Sequence, residues 1–171
     1  MSNPIQLDLP NPCHIWRMED VRGDSLKQLL SLYLPMNPAA IPLERSEGGK
    51  PFLRDHPLYF SISHSADIKL CAIAQQPIGL DIEVIRPIIH AERILRRIAT
   101  DDEVEWVHTI PDGFFALWTA KEAYLKGIGS GWRKARKISL LPFLASDDAE
   151  WVIRHFKEAR DAIGAIAMKR G

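Results

Sequence analysis

Gly79-Leu80-Asp81-Ile82-Glu83 is the stretch that most narrows what this chain can become. As a β-strand its side chains alternate between two faces. Leu80 and Ile82 then share the inward face, while Asp81 and Glu83 stand together on the other. Two like charges so close repel unless something positive lies between them. A hard divalent cation held by paired carboxylate oxygens is one resolution, and Mg²⁺ is the usual cation where phosphates are handled. Standing alone, such a strand reads as an exposed edge with solvated acids. The rest of the chain decides between the two.

A length of 171 residues fits one domain, or two small lobes sharing one core. Lys+Arg and Asp+Glu both total 22, which gives no bulk affinity for nucleic acid or an acidic membrane. Cys13 and Cys71 form no C-x-x-C pair and read as free thiols of a reducing compartment. Met1 to Pro12 has neither a basic start nor an apolar run, unlike a signal peptide. No apolar run approaches a membrane span. The expectation is a soluble, cytoplasmic protein.

Taken in order, the chain offers a first strand at His14 to Met18, with His14 read as structural for want of a partner at ligand spacing. Leu26, Leu29, Leu30, Tyr33 and Leu34 mark an amphipathic helix that Pro35 ends, with Arg22 and Lys27 beside it. Ile41 to Leu53 reads as a loop. Within it Gly48 and Gly49 allow a close turn and Pro51 stiffens the exit, so that Lys50 is offered as a point charge suited to phosphate. Three strands follow, at Phe60 to Ser65, Lys69 to Ala74 and Ile78 to Glu83, and suggest an antiparallel meander. His64 between Ser63 and Ser65 suits an anion nook better than a nucleophile and its base, with a structural histidine as the competing reading.

Ala91 to Ile98 is helical in pattern, and Thr100-Asp101-Asp102-Glu103 matches a capping box that opens a helix through Trp106. Capping explains Glu103 without chemistry. The helix Phe114 to Ile128 carries Phe114, Leu117, Trp118, Leu125 and Ile128 on one face. Lys121 falls in the middle of that face, Glu122 on its edge, and Lys126 one turn beyond Glu122. A charge inside an aromatic face points to a polar pocket along it. Gly127, Gly129 and Gly131 end the helix. Strands at Trp151 to Phe156 and Ala162 to Lys169 close the chain, and Ala165-Ile166-Ala167 echoes Ala72-Ile73-Ala74.

Together these segments resemble the ordered motifs of the 4′-phosphopantetheinyl transferases, Sfp type. The motifs are Ser-Ile-Ser-His-Ser at 61–65, Gly-Leu-Asp-Ile-Glu at 79–83 and Trp-Thr-Ala-Lys-Glu-Ala-Tyr-Leu-Lys at 118–126, with Gly49-Lys50-Pro51 in the place of a fourth. The resemblance runs from about Lys50 to Gly131. The lobe before Leu26 is abbreviated, which leaves Arg22 and Lys27 as the basic residues for the nucleotide, and Trp132 stands where a smaller aliphatic residue is usual.

The resemblance implies an α+β fold of two similar lobes, each a small antiparallel sheet plus helix, related by a pseudo-twofold axis. The lobes would span about 1–85 and 86–171 of a single transferase domain, monomeric, with coenzyme A in the cleft between them. It implies transfer of the phosphopantetheine arm of coenzyme A to a serine of an apo acyl or peptidyl carrier protein, releasing adenosine 3′,5′-bisphosphate, a reaction that rests on positioning and charge neutralisation. Asp81, Glu83 and Glu122 would hold Mg²⁺, Lys126 would neutralise the phosphates, and Lys121 would line the same pocket. Lys50 and His64 would face the 3′-phosphate and adenosine, with Pro51 and Ser63 beside them. The base is open between Glu122, a metal-bound water and Glu103. The basic run Arg133, Lys134, Arg136 and Lys137 is either a solvated loop or a carrier-facing patch. Two other classes share these residues: a silent carrier-docking relative, and a metal-dependent phosphohydrolase whose acceptor is water.

Overall fold

The computed structural model describes residues 4–20, 23–46, 49–130, 132, 138–159 and 161–171. Arg22, Glu47, Gly48, Gly131 and the basic run Arg133, Lys134, Arg136 and Lys137 lie outside the described residues. The fold is mixed α+β, built on two three-stranded antiparallel sheets. The first holds β1 (Cys13–Arg17), β4 (Tyr59–Ser65) and β5 (Ile68–Ala74) in the order β1-β5-β4. The second holds β6 (Ile78–Val84), β7 (Trp151–Ala159) and β8 (Ala162–Lys169) in the order β6-β8-β7. Each half thus runs strand, helix, hairpin, and the hairpin's second strand returns to the middle of the sheet. Ala72-Ile73-Ala74 and Ala165-Ile166-Ala167 lie on those two central strands but face opposite ways. Ala72 and Ala74 join the core shared by the sheets, whereas the second run gives that core Ile166 and packs Ala165 and Ala167 with Ala120 and Ala123.

The first sheet is covered by α1 (Gly23–Leu30), whose Leu26, Leu29 and Leu30 pack with Phe60, Cys71 and Ile73. The expected helix to Leu34 stops at Leu30 and relaxes into turns, where the Tyr33 N–H bonds the Leu30 carbonyl at 3.0 Å. The stretch read as a loop from Ile41 holds a short hairpin, β2 (Leu43–Arg45) with β3 (Pro51–Leu53). The second half carries α2 (Ala91–Ile98), α3 (Asp101–Thr109), α4 (Gly113–Ile128) and α5 (Leu141–Ala145). Residues from both sheets meet in one core that includes Ile15, Leu70 and Ala72 on one side and Leu80, Ile82 and Ile166 on the other. No helix among the described residues is long and apolar enough to cross a membrane.

The expected meander holds for β4 and β5, but β6 leaves them and pairs with β8. One edge of β6 is therefore spoken for by β8. The other lies along β4 without a backbone ladder, and buried backbone groups require partners. Side chains supply them. The N–H groups of Leu80, Ile82 and Val84 donate to the hydroxyls of Ser61, Ser63 and Ser65 at 3.0, 3.3 and 3.0 Å. The constant offset of 19 residues means that β4 and β6 run parallel. The carbonyls of the same edge are reached by lysines, Ile78 by Lys50 at 3.2 Å and Leu80 by Lys126 at 3.1 Å. The alternation Ser-x-Ser-x-Ser is thus a seam, repeating with the strand's own period.

Helix α4 lies directly on β6. A Cβ added at Gly79 would stand 1.8 Å from the Ala123 carbonyl oxygen and 2.5 Å from the Gly127 nitrogen. Only a residue without a side chain lets the helix come so near, and that approach sets where the carboxylates of β6 meet the charged side chains of α4.

Both contacts are open to test by thermal melting. Ser61→Ala strands the buried Leu80 N–H, at a cost of about 2 kcal/mol, which for a chain of this size lowers Tm by roughly 4–8 °C. Gly79→Ala forces α4 off the strand and costs about 3 kcal/mol or more. A variant of either kind that melts with the wild type would contradict the assigned contact.

Candidate functional site

Asp81, buried at 5% exposure on β6, is the centre of the site. Its Oδ1 accepts from the Ser63 hydroxyl at 2.7 Å and from the Lys126 ammonium at 2.7 Å. Its Oδ2 is buried and has no hydrogen-bond partner among the described residues. Burial raises the Asp81 pKa despite the opposing pull of Lys126 and Ser63, and the charge of Glu122 adds to the rise. Lys126 divides its protons among Asp81, Leu80 O and the Ser63 oxygen, at 2.7, 3.1 and 3.2 Å. The partner of Lys126 is therefore Asp81 across the helix–strand contact, and its i,i+4 neighbour Glu122 is engaged elsewhere.

Glu122 Oε1 accepts from the Trp132 indole at 2.7 Å. Glu83, half-buried, accepts through Oε2 from Ser65 and from Arg86, both at 3.0 Å. Arg86 also donates to the Val84 carbonyl at 2.9 Å and lies over the Phe115 ring. A cavity of about 120 Å³ opens beside Glu83, lined by Arg86, Ile94, Phe114 and Trp118 among others. The aromatic start of α4 borders this mostly apolar cavity, but Lys121 is not part of its lining, so the polar pocket expected from that lysine is not found there.

Lys50 enters from the β2–β3 hairpin, and its ammonium donates to the carbonyls of Ile78 and Lys126. That joins the first half of the chain to the last turn of α4. Burial, helped by the nearby Lys126 charge, lowers its pKa to about 8. Pro51 opens β3, paired with Arg45. His64 is exposed at the end of β4, while the Ser63 hydroxyl is buried against Asp81. Adjacent strand residues face opposite ways, so the expected nook of histidine and hydroxyls does not form. Lys27 lies in the last turn of α1.

Lys121 departs from its expected place in the phosphate pocket. It is 1% exposed, with its ammonium 2.8 Å from Glu103 Oε2 and 2.6 Å from the Ile138 carbonyl. Burial lowers its pKa against the raising effect of Glu103. Glu103 is itself fully buried: Oε2 takes the Thr100 N–H at 2.9 Å, as a capping box requires, and Oε1 takes the Leu140 N–H at 2.8 Å. With all these positions occupied, the pair fastens α3 and α4 to the segment before α5. Its lysine falls on the apolar face because its partner waits there.

Among the described residues no three His, Cys, Asp or Glu side chains converge as a ready metal cage. What does suit a hard cation is narrower. Asp81 Oδ2 is an unpartnered buried carboxylate oxygen, and Glu122 is close enough for its charge to act on it. Hard cations take oxygen donors of this kind. Glu83 shares the strand but is held by Ser65 and Arg86. Sequence reasoning missed Ser61, Ser65, Arg86 and the role of Trp132. The serine alternation was the available signal for the first two.

The likenesses to known proteins fall on this same part of the chain. Residues 77–165 match the family model described as the 4′-phosphopantetheinyl transferase superfamily. The chain is 35% identical over 139 residues to the 4′-phosphopantetheinyl transferase HetI of Nostoc sp., covering 75% of this chain and 58% of that protein. It is 38% identical over 96 residues to the transferase gsp of Aneurinibacillus migulanus, covering 53% and 39%. With the transferase Sfp of Bacillus subtilis it shares 34% identity over 119 residues, 64% and 51% of the two chains. The chain spans about half the length of these curated relatives. The matched segment holds Asp81, Glu83, Glu122 and Lys126 on the elements that build the site, and the chain belongs to the 4′-phosphopantetheinyl transferase superfamily, Sfp type.

Proposed function

We propose that this chain transfers the 4′-phosphopantetheine arm of coenzyme A to a serine hydroxyl of an apo acyl or peptidyl carrier protein, as a monomer acting in the cytoplasm. The observation that carries the reading is Asp81. It is a buried carboxylate with one oxygen bound by Lys126 and Ser63 and the other unpartnered, with the charge of Glu122 nearby. In the reaction the serine oxygen forms a bond to the β-phosphorus, and the pyrophosphate P–O bond breaks. Adenosine 3′,5′-bisphosphate leaves with the electron pair, and the serine proton passes to a base.

Asp81 and Glu122 would hold Mg²⁺, with Glu83 joining them on release from Arg86. When bound, the ion supplies charge neutralisation on the pyrophosphate. Lys126, already among the oxygens of this cluster, meets the developing negative charge beside them. Of the two carboxylates considered as base, Glu103 has both oxygens bonded at zero exposure. That leaves Glu122. Lys50, with Pro51 and the exposed His64, faces the 3′-phosphate and adenosine, and the two halves flank the substrate about a pseudo-twofold axis. Lys121 acts only through its support of α4.

Two outcomes test the reading. Incubated with coenzyme A, Mg²⁺ and a panel of apo carrier proteins, the wild type adds the phosphopantetheine mass to a carrier. Asp81→Asn and Glu122→Gln fall below about a tenth of that rate, a barrier increase of at least about 1.4 kcal/mol, while remaining folded by circular dichroism. Hydrolysis of coenzyme A without carrier would point to a phosphohydrolase instead.

The second outcome concerns pH. Lys50 is cationic below its pKa of about 8 and neutral above it. Its attraction for phosphate is therefore full at pH 7 and lost as the pH rises through 8. Affinity for coenzyme A measured by calorimetry weakens about tenfold between pH 7 and 9.5, consistent with losing one charge-assisted hydrogen bond. Lys50→Arg removes that dependence, and 3′-dephospho-coenzyme A never shows it. Equal pH profiles for wild type and Lys50→Arg would place the 3′-phosphate elsewhere.

A further inference from the structure

Trp132 is the residue whose place the transferase reading leaves unexplained. Its ring lies against Trp118 with centroids 4.8 Å apart, and Trp118 stacks in turn on Phe114 at 6.0 Å. It also packs on the cluster formed by Leu95, Ile98 and Leu117. The ring is therefore held by packing, and its only polar atom is aimed at one target, Glu122 Oε1 at 2.7 Å. An indole N–H donates and cannot accept, so this is a fixed, charge-assisted donor on a carboxylate of the site.

Without that donor, Glu122 has an obvious alternative. Lys126 is its i,i+4 neighbour on α4, the spacing and order in which a glutamate and a lysine pair best on a helix. In this structure Lys126 instead bonds Asp81, Ser63 and Leu80. With Oε1 committed to Trp132, the carboxylate is turned to that ring and leaves Lys126 to Asp81.

We propose that Trp132 is a positioning residue for Glu122. It fixes the carboxylate beside Asp81 and keeps Glu122 from capturing Lys126, so that both carboxylates stay available to a divalent cation. The inference rests on the transferase reading above and concerns the same site. Outer partners that orient carboxylate or imidazole ligands typically govern metal affinity by 10–100-fold.

The test is direct binding of Mg²⁺ alone by calorimetry, with no coenzyme A or carrier present. Trp132→Phe keeps a stacking ring and loses the donor; its Mg²⁺ affinity falls about tenfold. Trp118→Phe disturbs the stack but leaves the indole donor; it lowers Tm and keeps Mg²⁺ affinity within about twofold. Replacement of Trp132 by 3-benzothienylalanine, isosteric with sulfur in place of N–H, repeats the Trp132→Phe result and serves if the smaller ring fails to fold. Mg²⁺ affinity within about twofold of wild type for both the Phe and benzothienyl variants overturns the inference while transfer by the wild type stands. Equal losses in Trp118→Phe and Trp132→Phe also overturn it, since packing alone would then explain them. A wild type that neither binds Mg²⁺ nor modifies a carrier overturns the inference and the transferase reading together.

Discussion

Everything at the site depends on how β6 is held along its outer edge. One side of the strand is paired with β8 in the ordinary way. The other is met by three serine hydroxyls and two lysine ammonium groups, which take its N–H and C=O groups respectively. Ser63 and Ser65 in turn donate hydrogen bonds to Asp81 and Glu83. The same hydroxyls that satisfy the backbone thereby orient the carboxylates, which is why a seam between sheets and a charged centre can occupy one place. A buried backbone amide and a buried carboxylate would each be costly alone. Linked through a hydroxyl, each supplies what the other lacks.

The charges are arranged so that each acid has a different keeper. Asp81 has Lys126, Glu83 has Arg86, Glu122 has Trp132, and Glu103 has Lys121. These pairs differ in kind. Glu103 and Lys121 are sealed from water, where breaking such a pair leaves an uncompensated charge, and they serve the packing of helices. Asp81 keeps one oxygen unpartnered although burial raises its pKa. That contrast separates the structural carboxylate from those poised for a ligand, a distinction residue type alone does not make.

Much of this was legible in the sequence because it is local. Strand alternation put Leu80 and Ile82 inward, and both are buried. The Thr100–Glu103 spacing gave the capping box and helical periodicity found α4 within a residue of its bounds, whereas the Ala-Ile-Ala echo proved out of phase between the two central strands. What was not legible depends on partners far along the chain. Period-two patterning says that 78–83 is a strand, yet nothing in it chooses β8 over β5 as neighbour. The position of Lys121 on an apolar face suggested a pocket because its counter-charge, Glu103, sits on another helix. Spacing alone offered Glu122 as the partner of Lys126, and the close approach of α4 to Gly79 delivered Asp81 in its place.

A sheet joined by backbone hydrogen bonds is nearly immune to point substitution, since every residue but proline carries the same amide. The join between β4 and β6 is different, for each N–H acceptor on it is a side chain that a single codon encodes. Its rungs can be removed one at a time, or exchanged serine for threonine, without altering the strands themselves. The mechanical coupling between the two halves of this protein is therefore heritable and gradable residue by residue. Selection could stiffen or loosen it while the register of either sheet stayed as it is.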